Sequence, residues 1–135
     1  IMVQIVGKYQ YASAENFEEY IKSFGRAEVT EMFLRSTPLV EIQQNGDQWS
    51  ITVTNQGKSA NTATFKLGET YDELLPSQGV TLKSVTTKEG DNFRTETTMG
   101  TDKSIRIYEF TDTGMIVHLS STKSDIKAKR IYKRV

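Results

Sequence analysis

The C-terminal segment carries the side chains best suited to binding a charged small molecule. If this segment is a β-strand, its residues alternate between two faces. One face is charged and belongs in solvent, since it carries Asp125, Lys127, Lys129 and Lys133. The other face places an arginine inside the protein next to a tyrosine, since it carries Ile126, Ala128, Arg130 and Tyr132.

An inward position of Arg130 raises the question of what pairs with its charge. Removing a guanidinium from water is costly unless an anion compensates. A ligand carboxylate compensates well, because it accepts two parallel hydrogen bonds from Arg130 and a further one from the Tyr132 hydroxyl. Alternation alone leaves two alternatives open: Arg130 extends along the surface to water, or it pairs with an internal Glu or Asp.

The composition argues against several other classes of protein. The chain has 135 residues, the size of one domain, and 17 Lys and Arg residues balance 17 Asp and Glu residues. A nucleic-acid-binding protein needs a cationic excess, so no nucleic-acid partner is expected. The absence of cysteine excludes disulfides and thiolate metal sites. We expect a cytoplasmic protein, because there is no signal-peptide pattern and no apolar run of about 18 residues.

The residues also lack the patterns of an active site. The single histidine, His118, has no cysteine to activate, and alternation places it on the outer face of its strand. Nothing resembles a nucleophile elbow or a glycine-rich phosphate loop. We therefore expect no enzyme, and no metal, nucleotide or redox cofactor.

Most of the chain has the alternating pattern of β-strands. Two alternating runs, 41–44 and 48–54, flank a tight turn in which Gly46 can adopt a positive φ angle, which is typical of a hairpin. Further turn signals follow at separations of about ten residues, at 55–57, 67–68, 76–79, 89–92, 100–102 and 112–114. Many short strands at this spacing indicate a sandwich or an up-and-down barrel.

One interval, residues 13–34, has helical spacing instead. A first helix is predicted to open at Ser13 or Ala14 and to end at Gly25, because apolar residues recur at positions 17, 20, 21 and 24. A second short amphipathic helix is predicted over residues 27–34. The order is one strand, a helical hairpin and an unbroken run of strands, with no domain boundary within residues 1–135.

Three segments of the chain resemble the intracellular lipid-binding protein family, which comprises the fatty-acid-binding and cellular retinoid-binding proteins. Near the N-terminus, residues 7–9 and 15–22 are similar to the family's first signature, with an Asn-Phe pair at the first helix. Residues 65–69 resemble its central strand and turn. The ending, residues 129–135, is similar to the final strand of the liver-type and ileal-type branch.

The resemblance implies a fold and a function. The fold is all-β: a closed up-and-down antiparallel barrel of ten strands, with a helix-turn-helix lid between the first two. The function is the non-catalytic intracellular binding and transport of a long-chain fatty acid or similar lipophilic carboxylate, with one or two ligands in the barrel. A retinoid or bile-acid carrier of the same family is the alternative. A secreted lipocalin, which has the same class of barrel, is disfavoured because lipocalins lack the helical hairpin after the first strand. The resemblance also implies a monomer that makes transient contact with membranes.

The same resemblance implies roles for individual residues. Arg130 and Tyr132 match the family's carboxylate-binding pair, but Tyr108 stands where many members have a second internal arginine. Arg106 lies two positions earlier, on the same face as Tyr108 if the strand is regular. It either supplies the second charge or only lines the cavity, and in a shifted register Ile105 and Ile107 face inward instead.

Further positions are predicted for the cavity wall and for the entrance. The predicted cavity lining is Met115, Val117, Leu119 and Ala128. Trp49 either lines the cavity or belongs to a small core beneath it. The portal predicted from the family is formed by Val29, Met32, Phe33 and Lys58, and the alternative for these residues is ordinary packing of a helix on the barrel.

Overall fold

The structure is a computed structural model that describes residues 5–22, 37–54, 61–75, 80–123 and 125–135. One helix, α1 (Phe17–Lys22), follows the first strand. The ten strands are β1 (Gly7–Glu15), β2 (Leu39–Asn45), β3 (Gln48–Thr54), β4 (Asn61–Lys66), β5 (Thr70–Leu75), β6 (Val80–Glu89), β7 (Asn92–Met99), β8 (Asp102–Phe110), β9 (Gly114–Ser121) and β10 (Ala128–Arg134).

The strands form a single antiparallel sheet in the order β4-β3-β2-β1-β10-β9-β8-β7-β6-β5. Nearly every strand pairs with its neighbour in sequence, and the pairing of β1 with β10 joins the two ends of the chain. The sheet curves into a nearly closed barrel whose two edge strands, β4 and β5, face each other. The rings of Phe65 and Tyr71 stack across this edge, with centroids 5.0 Å apart. The predicted ten-stranded up-and-down barrel is confirmed.

The predicted hairpin between β2 and β3 is also confirmed. Ile42 pairs with Ile51 across the two strands. Gly46 lies in the turn with φ of 65°, a left-handed conformation that glycine adopts without steric cost. Predicted turns at 67–68, 89–92, 100–102 and 112–114 likewise fall between strands.

The predicted start of the first helix is wrong. Ser13 and Ala14 belong to β1, where they pair with Ile131 and Arg130 of β10. Pairing along the sheet outweighs the weak local helical signal, so the strand continues to Glu15. Asn16 then takes a positive φ of 58°, which this residue type tolerates, and the helix begins at Phe17.

Several other predictions concern residues outside those that the structure describes. These are the end of the first helix at Gly25, the second helix at 27–34, the turns at 55–57 and 76–79, and the portal residues Val29, Met32, Phe33 and Lys58. Within the described residues, no helix is long and apolar enough to cross a membrane.

Aromatic side chains fill one end of the barrel and form what we call the aromatic floor: Tyr9, Trp49, Phe65, Phe93 and Phe110. The Phe93 ring is central, because its centroid lies 4.9 Å from that of Trp49 and 5.5 Å from that of Phe110, both edge to face. Trp49 therefore packs within the floor. Of the two positions predicted for it, the small core beneath the cavity is the one that the structure shows. Arg134 closes this end from outside, where Nη2 donates a 3.1 Å hydrogen bond to the Tyr9 hydroxyl.

Candidate functional site

The final strand, β10, places its side chains as the alternation predicts. Ala128 and Tyr132 are buried and Arg130 is half-buried, whereas Lys129 and Lys133 are exposed. Neighbouring strands on both sides hold this orientation, since Arg130 pairs with Ala14 of β1 and with Val117 of β9. The guanidinium is thus carried on the inner face of the barrel.

Three aromatic rings surround the Arg130 guanidinium. Its central carbon lies 4.6 Å from the centroids of both Tyr11 and Phe17, and 5.8 Å from that of Tyr132. The cation is attracted to the negative faces of these rings, and more strongly where water is excluded. Phe17 is the first residue of α1, so the helix covers the cation from the barrel mouth. The guanidinium therefore lies among rings and does not extend over the surface to water.

Tyr132 supplies a neutral hydroxyl next to this cation. Burial raises the pKa of Tyr132 to about 12, although the positive charge of Arg130 acts in the opposite direction. The phenol is consequently protonated at neutral pH and can donate a hydrogen bond to an anion. An arginine and a protonated tyrosine, two positions apart on one strand, form a site suited to a carboxylate.

The raised pKa of Tyr132 predicts a loss of stability in alkali. A folded-state pKa of about 12 against an ordinary value of 10.0 means that the contribution is complete below pH 10 and lost as the pH rises towards 12. Its size is about 2–3 kcal/mol at 1.36 kcal/mol per pKa unit. Tyr132→Phe should therefore flatten the fall of the unfolding free energy over this interval, as measured by urea denaturation at successive pH values. An equally steep fall in Tyr132→Phe and wild type would contradict this assignment.

Arg106 faces the interior from β8. It donates from Nη1 to the Tyr108 hydroxyl and from Nη2 to Thr97 Oγ1, each at 3.2 Å. Tyr108 and Thr97 are both buried, so the shifted register with Ile105 and Ile107 inward is wrong. Arg106 also acts at a distance, because its positive charge partly offsets the rise that burial causes in the pKa of Tyr132.

Residues directly opposite one another on neighbouring strands form rows across the barrel wall. Arg106 and Arg130 lie in adjacent inward-facing rows. Tyr108 is opposite Val117 of β9, and Val117 is opposite Arg130 of β10. Arg106 belongs to the next row towards the mouth, opposite Leu119. In the row of Arg130, a tyrosine hydroxyl thus stands where the resemblance implies a second arginine, and Arg106 bonds to that hydroxyl from one row away.

The predicted lining residues are all buried and lie on the wall formed by β9 and β10: Met115, Val117, Leu119 and Ala128. Met115 belongs to the floor end, since it pairs with Phe110 and Tyr132. His118 points the other way, and its Nε2 lies 2.9 Å from Glu109 Oε1 on a partly exposed surface. The outward position predicted for His118 is confirmed.

Sequence reasoning missed several residues that contribute to the site. Tyr11 and Phe17 contact Arg130, yet neither was singled out for this role. A β-bulge between Tyr11 and Ser13 shifts the register of β1, so alternation counted along that strand fails beyond it. Buried hydroxyls were also missed: Ser84, Thr86, Thr95 and Thr97. Their only sequence signal is the threonine-rich composition of β6 and β7, and threonine occurs on either face of a strand.

Comparison with known proteins identifies the fold family. The profile of the lipocalin / cytosolic fatty-acid binding protein family matches residues 6–133. A fatty acid-binding protein of Tyrophagus putrescentiae is 33% identical over 135 residues, covering 98% of this chain and 99% of that protein. The liver fatty acid-binding protein of Sus scrofa is 35% identical over 132 residues, covering 96% and 97%.

The solved structures agree. The crystal structure of a fatty acid-binding protein from brain tissue of Drosophila melanogaster has a TM-score of 0.83 and 32% identity, covering 96% of this chain and 99% of that one. Fatty-acid-binding proteins are carriers that catalyse no reaction, in agreement with the expectation from the sequence. The assignment to the liver-type and ileal-type branch stays a prediction. The chain belongs to the lipocalin and cytosolic fatty-acid binding protein family.

Proposed function

We propose that this protein binds a long-chain fatty acid, or a similar lipophilic carboxylate, inside the barrel and transports it. Arg130 and Tyr132 hold the carboxylate. The observation that carries the proposal is the position of the Arg130 guanidinium on the inner face of β10, within 4.6 Å of the rings of Tyr11 and Phe17. Such a cation favours an anionic partner that is itself shielded from water.

The aromatic contacts of Arg130 are compatible with binding of a carboxylate by the same guanidinium. A guanidinium interacts with rings through its flat faces, whereas its N–H groups lie in the plane and form bidentate bonds with carboxylate oxygens. Where the rings of Tyr11 and Phe17 meet these flat faces, they orient the cation and leave the geometry that an anion needs. The Tyr132 hydroxyl, which is protonated at neutral pH, donates a further bond.

Arg106 and Tyr108 complete the proposed anion site. Tyr108 is in the same cross-strand row as Arg130, so its hydroxyl is placed to contact the ligand directly. Arg106 donates to that hydroxyl and adds positive charge one row nearer the mouth. In this arrangement Arg106 acts on the carboxylate through Tyr108 and through its electric field.

The apolar wall of β9 and β10 takes the acyl chain. Val117, Leu119 and Ala128 are buried there beside the anion site. Each methylene removed from water contributes about 0.8 kcal/mol, part of which is offset by ordering of the chain. Entry past Val29, Met32, Phe33 and Lys58 belongs to the proposal as well, as do a cytoplasmic location, a monomeric state and transient contact with membranes.

Titration of the delipidated protein with oleate and with retinol tests the proposed function. Isothermal titration calorimetry gives the affinity, and native mass spectrometry gives the number of ligands and the oligomeric state. We expect oleate to bind more tightly than retinol, because retinol has no carboxylate for Arg130. Binding of retinol without binding of oleate would favour the alternative of a retinoid carrier and reject the role of Arg130.

A further inference from the structure

A continuous row of hydroxyl-bearing side chains crosses five neighbouring strands on the inner face of the barrel. We call this the hydroxyl row, and its members are Tyr71, Ser84, Thr97, Ser104 and Ser121. Each is directly opposite the next in the strand register, from β5 to β9. Ser84 and Thr97 are only 1% and 5% exposed, respectively, so the row is an interior feature.

Hydrogen bonds join the row to its surroundings. Ser84 Oγ and Thr97 Oγ1 are 2.7 Å apart, and Thr97 also accepts a bond from Arg106. The Ser104 side chain bonds to the hydroxyl of Tyr20, which lies on α1. A second rung of hydroxyls runs beside the row, since Thr86 Oγ1 is 2.7 Å from that of Thr95 and 2.9 Å from the Tyr71 hydroxyl.

The interior therefore has two chemically different walls. The wall of β5 to β8 presents hydroxyls, whereas the wall of β9 and β10 presents Val117, Leu119 and Ala128. Most of these hydroxyls bond to one another, but a purely apolar ligand would offer no partner to a buried hydroxyl that lacks one. Ser121 is the clearest case, because its Oγ is buried with no hydrogen-bond partner among the described residues.

The hydroxyl row meets the proposed anion site at Thr97, which accepts a bond from Arg106, and it extends away from that site to Ser104 and Ser121. Tyr108 and Val117 are in the row of Arg130, whereas Ser104 and Ser121 are four residues further along the same two strands. At a rise of about 3.3 Å per residue, this separation is about 13 Å. It brings the Ser104 and Ser121 end of the row level with the middle of an extended long acyl chain whose carboxylate is at Arg130.

We propose that the barrel selects long-chain fatty acids that carry a hydroxyl group near the middle of the chain. The inference rests on the proposed function, since the carboxylate at Arg130 and Tyr132 sets the position of the chain. The mid-chain hydroxyl bonds to the hydroxyl row, and the hydrocarbon packs on the wall of β9 and β10. In an apolar cavity the same hydroxyl would be desolvated without compensation and would weaken binding.

The experiment compares 12-hydroxystearate with stearate by isothermal titration calorimetry on the delipidated full chain. In wild type, 12-hydroxystearate is expected to bind more tightly than stearate. In the double variant Ser84→Ala/Thr97→Val, the ratio of the two affinities should shift by about tenfold in favour of stearate, the size of one hydrogen bond. Changing both partners avoids leaving one hydroxyl of the Ser84 and Thr97 pair unsatisfied. The variant also removes the acceptor of Arg106 Nη2, and comparing two ligands in the same variant cancels the effect of that loss on carboxylate binding.

The matched control is Thr87→Val/Thr98→Val, which changes the exposed neighbours of the inner face on the same two strands. Its affinity ratio should equal that of wild type. If the inner variant does not fold, 2-hydroxystearate replaces it as a test on wild type: it places the hydroxyl beside the carboxylate and should bind less tightly than 12-hydroxystearate.

The outcomes separate the two proposals. If stearate binds as tightly as 12-hydroxystearate or more tightly in wild type, or if the ratio is the same in wild type and the inner variant, selection by the hydroxyl row is rejected and the proposed function stands. If neither ligand binds, both proposals are rejected.

Discussion

Replacing Arg130 with methionine is expected to weaken oleate binding by about 10- to 100-fold without lowering the stability of the ligand-free protein. Hydrogen bonds to a charged group contribute about 1.5–3 kcal/mol, and 1.4 kcal/mol corresponds to a factor of ten in affinity. Methionine keeps a flexible chain that packs against Tyr11 and Phe17, and sulfur contacts aromatic rings favourably. Removing an interior charge also removes its desolvation cost, so the free energy of unfolding should stay equal or rise.

The neighbouring variant Lys129→Met is the matched control for charge. It changes the net charge by the same amount, but Lys129 is on the outer face, with 48% of its side chain exposed and Nζ 3.4 Å from Glu15. Calorimetry should show the same oleate affinity in this variant as in wild type. Urea denaturation of each ligand-free protein measures its free energy of unfolding. Equal affinities in Arg130→Met and Lys129→Met would reject Arg130 as the anion anchor.

The second large effect is expected at Phe93 in the aromatic floor. Phe93 is 0% exposed and contacts three other rings edge to face, those of Trp49, Phe65 and Phe110. Phe93→Ala leaves a cavity at the centre of this cluster, and such changes cost about 3–5 kcal/mol. Urea denaturation should show this loss as a lower midpoint with little change in slope.

Val135→Ala is the control for removing apolar surface outside the core. Val135 is 71% exposed, so its substitution should change the unfolding free energy by no more than about 0.5 kcal/mol. A loss below 1 kcal/mol in Phe93→Ala would show that the floor rearranges to fill the cavity, and the rigid packing inferred for these rings would be wrong.

The positions of residues with a strong preference for solvent or for a particular backbone conformation were predicted well from the sequence. The lysines of β10 fixed which face is outside, and this alone oriented Arg130 and Tyr132. Gly46 and the later turns correctly separated the strands, because positive φ angles restrict the choice of residue. Regular alternation also placed Arg106 and Tyr108 together on β8.

Features that depend on contacts between distant segments were not predictable in the same way. The helix start failed because Ala14 pairs with Arg130, which is far along the sequence. The rings of Tyr11 and Phe17 both contact Arg130 from opposite sides of the bulge in β1, and no local pattern signals that bulge. The hydroxyl row is a product of register across five strands, so threonines and serines that look ordinary in sequence become one feature in the fold.

Carbon-13 NMR of oleate labelled at the carboxyl carbon tests the central claim most directly, that Arg130 and Tyr132 hold the ligand carboxylate inside the barrel. A neighbouring guanidinium favours the ionised form and lowers the pKa of a carboxyl group. The carboxyl resonance of bound oleate should therefore remain that of the carboxylate as the pH is lowered through the range in which a solvated fatty acid titrates. In Arg130→Met it should titrate in that ordinary range. A resonance that titrates identically in wild type and Arg130→Met would contradict the account.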